Sequence, residues 1–72
     1  MTMQVLRWEM AKLCVDDHAR DGLKQGTLVR ILSRWEQELF PGEPSLGKVT
    51  KIKVKSLLPP IVVKDIDGTD VA

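Results

Sequence analysis

The 72-residue sequence has one cysteine, one histidine, one phenylalanine and no tyrosine. With a single thiol, Cys14, the chain cannot form an internal disulfide, and Cys14 and His18 provide too few ligands for a zinc site. A chain of this length buries only about 60% of the surface that it exposes when unfolded. Small domains with marginal cores usually gain stability from disulfides, metals or partner subunits. The composition therefore predicts self-association or a protein partner, and no metal or other cofactor.

Long apolar runs are also missing from the sequence. No stretch approaches the roughly 20 apolar residues of a membrane-spanning helix, and the N-terminus lacks the basic-then-apolar order of a signal peptide. The hydrophobic fraction of 43% and the charged fraction of 29% are typical of a globular chain. We therefore expect residues 1–72 to form one small cytoplasmic domain with no membrane contact and no small-molecule substrate.

The first 40 residues show the apolar spacing of helices. A stripe at intervals of three and four predicts an amphipathic helix over residues 2–22, and its members are Met3, Leu6, Met10 and Leu13. A second helix is predicted over residues 28–40, because Thr27 is a good N-cap residue and Pro41 ends helices. The apolar face of this second helix would contain Leu28, Ile31, Leu32, Trp35 and Leu39.

The remainder of the chain reads as a linker and two strands. Two prolines and a glycine within residues 41–44 exclude regular structure in the predicted linker 41–47. From Lys48 to Leu57 apolar and lysine residues alternate, which is the period of a strand. After Pro59-Pro60, a second strand over Ile61–Ile66 either pairs back as a hairpin or offers an open edge. The predicted class is α+β: a helical part over 2–40, a linker over 41–47 and a two-stranded β part over 48–67.

An acidic motif ends the second predicted strand. The segment 62–69, in which Asp65-Ile66-Asp67-Gly68-Thr69 follows two valines, resembles the first motif of the haloacid-dehalogenase-like phosphatases. The resemblance implies that Asp65 is a nucleophile and Asp67 a general acid and base. That chemistry also needs a lysine, further acidic residues and magnesium from later motifs, yet only three residues follow Thr69. We therefore interpret the segment as a polar turn after a strand and expect no enzymatic activity.

Our main hypothesis for function is a non-enzymatic protein-interaction module. Such a chain acts as a small regulator or inhibitor, either by docking on a larger protein or by forming a homodimer. The first helix would supply the interface, with an exposed tryptophan beside its apolar stripe as an anchor. The predicted interface residues are Met3, Leu6, Trp8, Met10 and Leu13.

The alternative hypothesis is a small DNA-binding regulator of the excisionase or repressor type. Helix 28–40 would be its recognition helix, and the lysine-rich strand would contact phosphates. The candidate nucleic-acid contacts are Arg30, Arg34, Lys48, Lys51, Lys53 and Lys55. A DNA-binding protein must present its basic residues on one side of the fold. Placement of these six residues on two different sides would therefore favour the protein-interaction hypothesis.

Replacing the acids of the motif tests the turn interpretation. We expect Asp65→Asn and Asp67→Asn to leave the fold nearly unchanged, because exposed side chains contribute within about 0.5 kcal/mol of stability. Thermal unfolding and magnesium-dependent hydrolysis of p-nitrophenyl phosphate are the two measurements. A phosphatase activity that disappears in either variant would show that the motif is catalytic.

Overall fold

Residues 9–72 of the computed structural model are described, and they form an all-β fold. Four antiparallel strands lie in one sheet in chain order; they are β1 Glu9–Lys12, β2 Leu28–Glu38, β3 Lys48–Ser56 and β4 Val63–Asp67. Short 3-10 helices lie in the connections, at Ala19–Asp21, Pro44–Leu46 and Gly68–Asp70. No α-helix occurs within residues 9–72.

The predicted α+β class with two N-terminal helices is therefore wrong. Residues 9–22 of the first predicted helix form β1 and part of the loop that follows it. Residues 28–38 of the second predicted helix form β2. The predictions for residues 1–8 lie outside the described residues.

A β-bulge explains why β2 resembles a helix in sequence. The register against β3 shifts after Ile31, so that Leu32 is an extra residue in the ladder. By register, Leu28 and Trp35 face outward, Ile31 faces inward and Leu32 lies in the bulge. The intervals of three and four therefore connect residues from both faces of a strand. The buried residue of this segment is Val29, which the predicted helical stripe does not include.

The two predicted strands occur, but they belong to the four-stranded sheet and do not form a separate two-stranded part. The strand predicted from Lys48 corresponds to β3, in which Ile52 and Val54 are buried and the alternating lysines face outward. The second predicted strand corresponds to β4, which pairs antiparallel with β3 and places Ile66 opposite Ile52. The hairpin alternative is therefore the correct one. Residues 41–47 lie in the β2–β3 loop and do not link a helical part to a β part.

The end of the chain pairs with the first strand. The amide of Lys12 donates to the carbonyl of Ala72 at 3.1 Å, and the amide of Ala72 donates back to Lys12 at 2.9 Å. Beside them, Leu13 forms an antiparallel bridge with Val71. These contacts use the edge of β1 that faces away from β2. The sheet thus curls round on itself, and this closure covers its inner face without a second layer.

The core is small and lies inside the curled sheet. It consists of Leu13, Leu23, Val29, Ile52, Val54 and Ile66, each at most 1% exposed. Two of these side chains come from outside the four strands, and the others come from β2, β3 and β4. With so few buried residues, removing one large side chain takes away a substantial part of the apolar burial.

Ser56 is the buried polar residue of the described chain, at 3% exposure, and it organises the loop after β3. Its hydroxyl donates to the carbonyl of Pro60 at 3.0 Å and accepts from the amide of Val62 at 2.7 Å. The backbone amide of Ser56 also donates to the carbonyl of Val62, at 2.9 Å. One side chain therefore satisfies two backbone groups of this loop.

Removing this hydroxyl should destabilise the fold. We expect Ser56→Ala to lower the free energy of unfolding by about 1–3 kcal/mol, because it leaves polar backbone groups of the loop without a partner. Urea unfolding measures the change, and Ser33→Ala at an exposed position of β2 is the matched control. Equal stability of the two variants would contradict this role of Ser56.

Candidate functional site

A groove of ≈ 460 Å³ opens at the end of the sheet where β2 begins and β3 ends. One side is formed by the β1–β2 loop and the other by the loop after β3. The lining residues are Gly22, Gly26, Thr27, Leu28, Ser56, Leu57, Leu58, Pro59 and Pro60. The volume lies within the range of about 300–1,000 Å³ that is typical of ligand clefts.

The rim of the groove is apolar and accessible to solvent. Leu58 is 76% exposed, and Leu28 and Leu57 are also exposed. Ile61, next to the lining prolines, adds another exposed apolar side chain. Contiguous exposed apolar surface of this kind is typical of interaction sites.

The β1–β2 loop is fixed to the core, so the wall that it forms is ordered. Leu23 of this loop is fully buried, and the amide of Gly26 donates to the carbonyl of Leu13 at 2.7 Å. His18 Nε2 lies 2.9 Å from Asp70 Oδ2, and both side chains are only 15% exposed. The loop is therefore attached both to the core and to the C-terminal segment that closes the sheet.

An ion pair also connects this wall to β4. The carboxylate of Asp21 accepts a hydrogen bond from the ammonium of Lys64. That hydrogen bond and the charge of Lys64 lower the pKa of Asp21 below its ordinary value. The next residue, Gly22, has φ of 91°, a conformation that favours glycine. A side chain at this position would also meet Val62 and Pro60 on the opposite wall.

The candidate nucleic-acid contacts lie on two faces of the sheet. By register, one outward face carries Arg30, Lys51, Lys53 and Lys55. Arg34 pairs with Ile52, whose side chain is buried on the inner face, so Arg34 belongs to the inner series. Lys48 lies four residues before Ile52 on the same strand and therefore belongs to the same series. Arg34 forms an ion pair with Glu9. The structure therefore does not bring the six residues together, and the recognition helix expected over 28–40 is a strand.

Acidic residues accompany the lysines of the outward face. Lys51 Nζ donates to Asp67 Oδ1 at 2.8 Å, and Lys53 lies opposite Asp65 in the β3–β4 register. The two motif acids are thus strand residues that lie beside lysines. The predicted turn begins only after them, where Gly68–Asp70 forms a 3-10 helix. This arrangement lowers the net positive charge of the face.

The predicted protein-interface residues are separated. Met10 is exposed on β1, whereas Leu13 lies in the core. Met3, Leu6 and Trp8 lie outside the described residues. The predicted interface of these five side chains required a helix over residues 2–22. Residues 9–22 form a strand and part of a loop instead.

The sequence does not predict the groove itself. One wall is the segment from Leu57 to Pro60, which the alternation pattern treats only as the break between two strands. The feature that indicates it is apolar composition: three large aliphatic residues surround two prolines where a solvated turn would carry polar residues. The opposite wall comes from glycines more than thirty positions earlier, and no local pattern connects the two.

Within residues 9–72, no three His, Cys, Asp or Glu side chains come together as metal ligands. In the same part of the chain, no helix has the length and apolar character needed to cross a membrane. Comparisons with protein-family models, with curated proteins and with solved structures find no match. The geometry of the groove is therefore the feature that indicates a function.

The ion pair on the groove wall gives a titration test. In Lys64→Gln we expect the pKa of the Asp21 carboxyl to rise toward its ordinary value, because the hydrogen bond and the positive charge are lost. Since the pKa of Asp21 is lowered in the folded state, the ion pair contributes to stability at pH values above the ordinary carboxyl pKa. This contribution is lost as the pH falls through the lowered pKa of Asp21. An NMR pH titration of the side-chain carboxyl measures this, with Lys53→Gln as the control. An unchanged Asp21 titration would contradict the ion pair.

Proposed function

We propose that this protein is a non-enzymatic protein-interaction module that binds another polypeptide in the groove. The observation that carries the proposal is the combination of an exposed apolar rim with an anchored wall. Leu28, Leu57 and Leu58 present aliphatic surface, while Leu23 and the contact of His18 with Asp70 hold the facing loop in place. The module would act as a small regulator or inhibitor, or by self-association.

The chemistry of the lining supports a polypeptide occupant. Ser56 already directs its hydroxyl to the loop after β3, so it is committed to the fold. Thr27 is the other lining residue with a polar side chain. A site of this composition gains binding energy from apolar side chains that fill it, as at protein interfaces with a few central anchors. We place the module in the cytoplasm, where its free, exposed Cys14 would remain reduced.

Nucleic-acid binding is the less favoured candidate. Its support is the outward row in which Arg30 faces Lys55 across the β2–β3 ladder. The neighbouring lysines of β3 lie beside Asp65 and Asp67, which reduces the counterion release that drives such binding. Salt-dependent binding to DNA is therefore one outcome of the test below.

The test uses peptides selected on the protein from a random displayed library. We expect the enriched peptides to bind wild type and to lose at least about tenfold in affinity on Leu58→Asp, because a carboxylate would then lie in the apolar contact. Val63→Asp on β4 is the matched control, since Val63 is also exposed but does not line the groove. Fluorescence anisotropy measures each affinity.

Two results would contradict the proposal. One is peptides that bind wild type and Leu58→Asp equally well. The other is the absence of selectable peptides together with binding of random duplex DNA that weakens with salt and is unaffected by Leu58→Asp. The second result would favour the nucleic-acid function.

A further inference from the structure

The β2–β3 loop forms a second exposed apolar surface. We call residues 39–47 the hairpin tip; its exposed apolar side chains are Leu39, Phe40 and Leu46. Phe40 is the chain's one phenylalanine and is 51% exposed. The tip is ordered, because the amide of Gly42 donates to Glu38 Oε1 at 2.9 Å and the amide of Leu39 donates to the carbonyl of Gly47 at 3.0 Å.

The tip extends beyond β4, its neighbour on the β3 side. Among residues 9–72, β1 pairs with β2 only over residues 28–31, and β4 pairs with β3 only over residues 51–55. The β2–β3 ladder continues past both, as far as the pair Glu38 and Lys48. On the β3 side the hairpin therefore extends beyond β4, and it carries apolar residues at its end.

The tip cannot fill the groove of its own molecule. The groove lies at the start of β2 and the tip follows its end, and β2 contains 11 residues. At about 3.3 Å per residue, the two sites are roughly 30 Å apart. A tip that enters this groove must therefore belong to another copy of the chain.

The charges of the two surfaces are complementary. Acidic residues predominate around the tip, where Glu36, Glu38 and Glu43 outnumber Lys48. Three lysines flank the groove lining: Lys12 lies opposite Leu28, Lys24 lies between Gly22 and Gly26, and Lys55 precedes Ser56. The acid next to this lining, Asp21, is paired with Lys64, whereas Asp16, whose carboxylate accepts from the amide of Gln25, keeps its negative charge. An acidic apolar tip thus matches a basic apolar groove.

We propose that the groove binds the hairpin tip of a second copy of this chain, with Phe40 as the anchor. This inference rests on the proposed function, since it names the polypeptide that the groove binds. The contact is head-to-tail, because the tip and the groove are different surfaces of one molecule. Each copy keeps one unused tip or groove after pairing, so the assembly grows or closes into a ring.

The contact predicts a specific pattern of self-association. In sedimentation velocity, wild type should show species heavier than the 8.1 kDa monomer that increase with protein concentration. Phe40→Ala in the tip and Leu58→Asp in the groove should each weaken this association by at least about tenfold. Both residues are exposed, so the variants should fold, and thermal unfolding verifies this. Leu46→Ala is a second tip variant, and Val63→Asn, which adds no charge opposite Lys55, is the control that should behave as wild type.

Mixing the two variants is the decisive experiment. Phe40→Ala retains an intact groove and Leu58→Asp an intact tip, so an equimolar mixture should form a heterodimer through one contact and should not grow further. Added salt should weaken that heterodimer, because the two surfaces carry opposite charge.

Two outcomes overturn the inference. One is a mixture that remains monomeric while wild type associates, which indicates a contact made by other surfaces. The other is a wild type that remains monomeric up to its solubility limit. In either case, selected peptides that bind wild type but not Leu58→Asp would still support the groove as a docking site, so the inference and the proposed function fail separately.

Discussion

The structure depends on the pairing of the last residues of the chain with β1. A single sheet with one apolar face needs a second layer or must curl until its edges meet. Here the reciprocal hydrogen bonds of Lys12 with Ala72, and the bridge of Leu13 with Val71, join β1 to the C-terminal residues. This closure places Leu13 in the core and brings the C-terminal 3-10 helix next to the β1–β2 loop, where Asp70 contacts His18.

The C-terminal segment that closes the sheet also contacts one wall of the groove, through Asp70 and His18. The β1–β2 loop is attached to the core through Leu23 and to β4 through the pair of Asp21 with Lys64. Across the groove, Ser56 holds the loop after β3. Both walls are therefore in place before a partner arrives, which reduces the ordering that opposes binding. An apolar site with fixed walls suits recognition by a few anchor side chains, which is the function we propose.

About half of the fold could be predicted from the sequence. Alternation of Ile52 and Val54 with lysines predicts β3, and the prolines after it predict the break before β4. Strand β2 could not be predicted, because it contains a bulge at Leu32 and its apolar residues are spaced at intervals of three and four, as in a helix. The site could not be predicted either. Its walls are separated in sequence and meet only in the folded sheet, and Leu13 of the predicted interface lies in the core.

The most direct test of this account is amide hydrogen exchange, followed by NMR on dilute protein without a partner. If closure fixes the groove wall, the amides of Leu23 and Gly26, which donate to His18 and Leu13, exchange as slowly as those of β3. The contradicting result is rapid exchange at these two amides while those of β3 remain protected. That outcome would mean that the wall is not anchored and that the groove does not exist before binding.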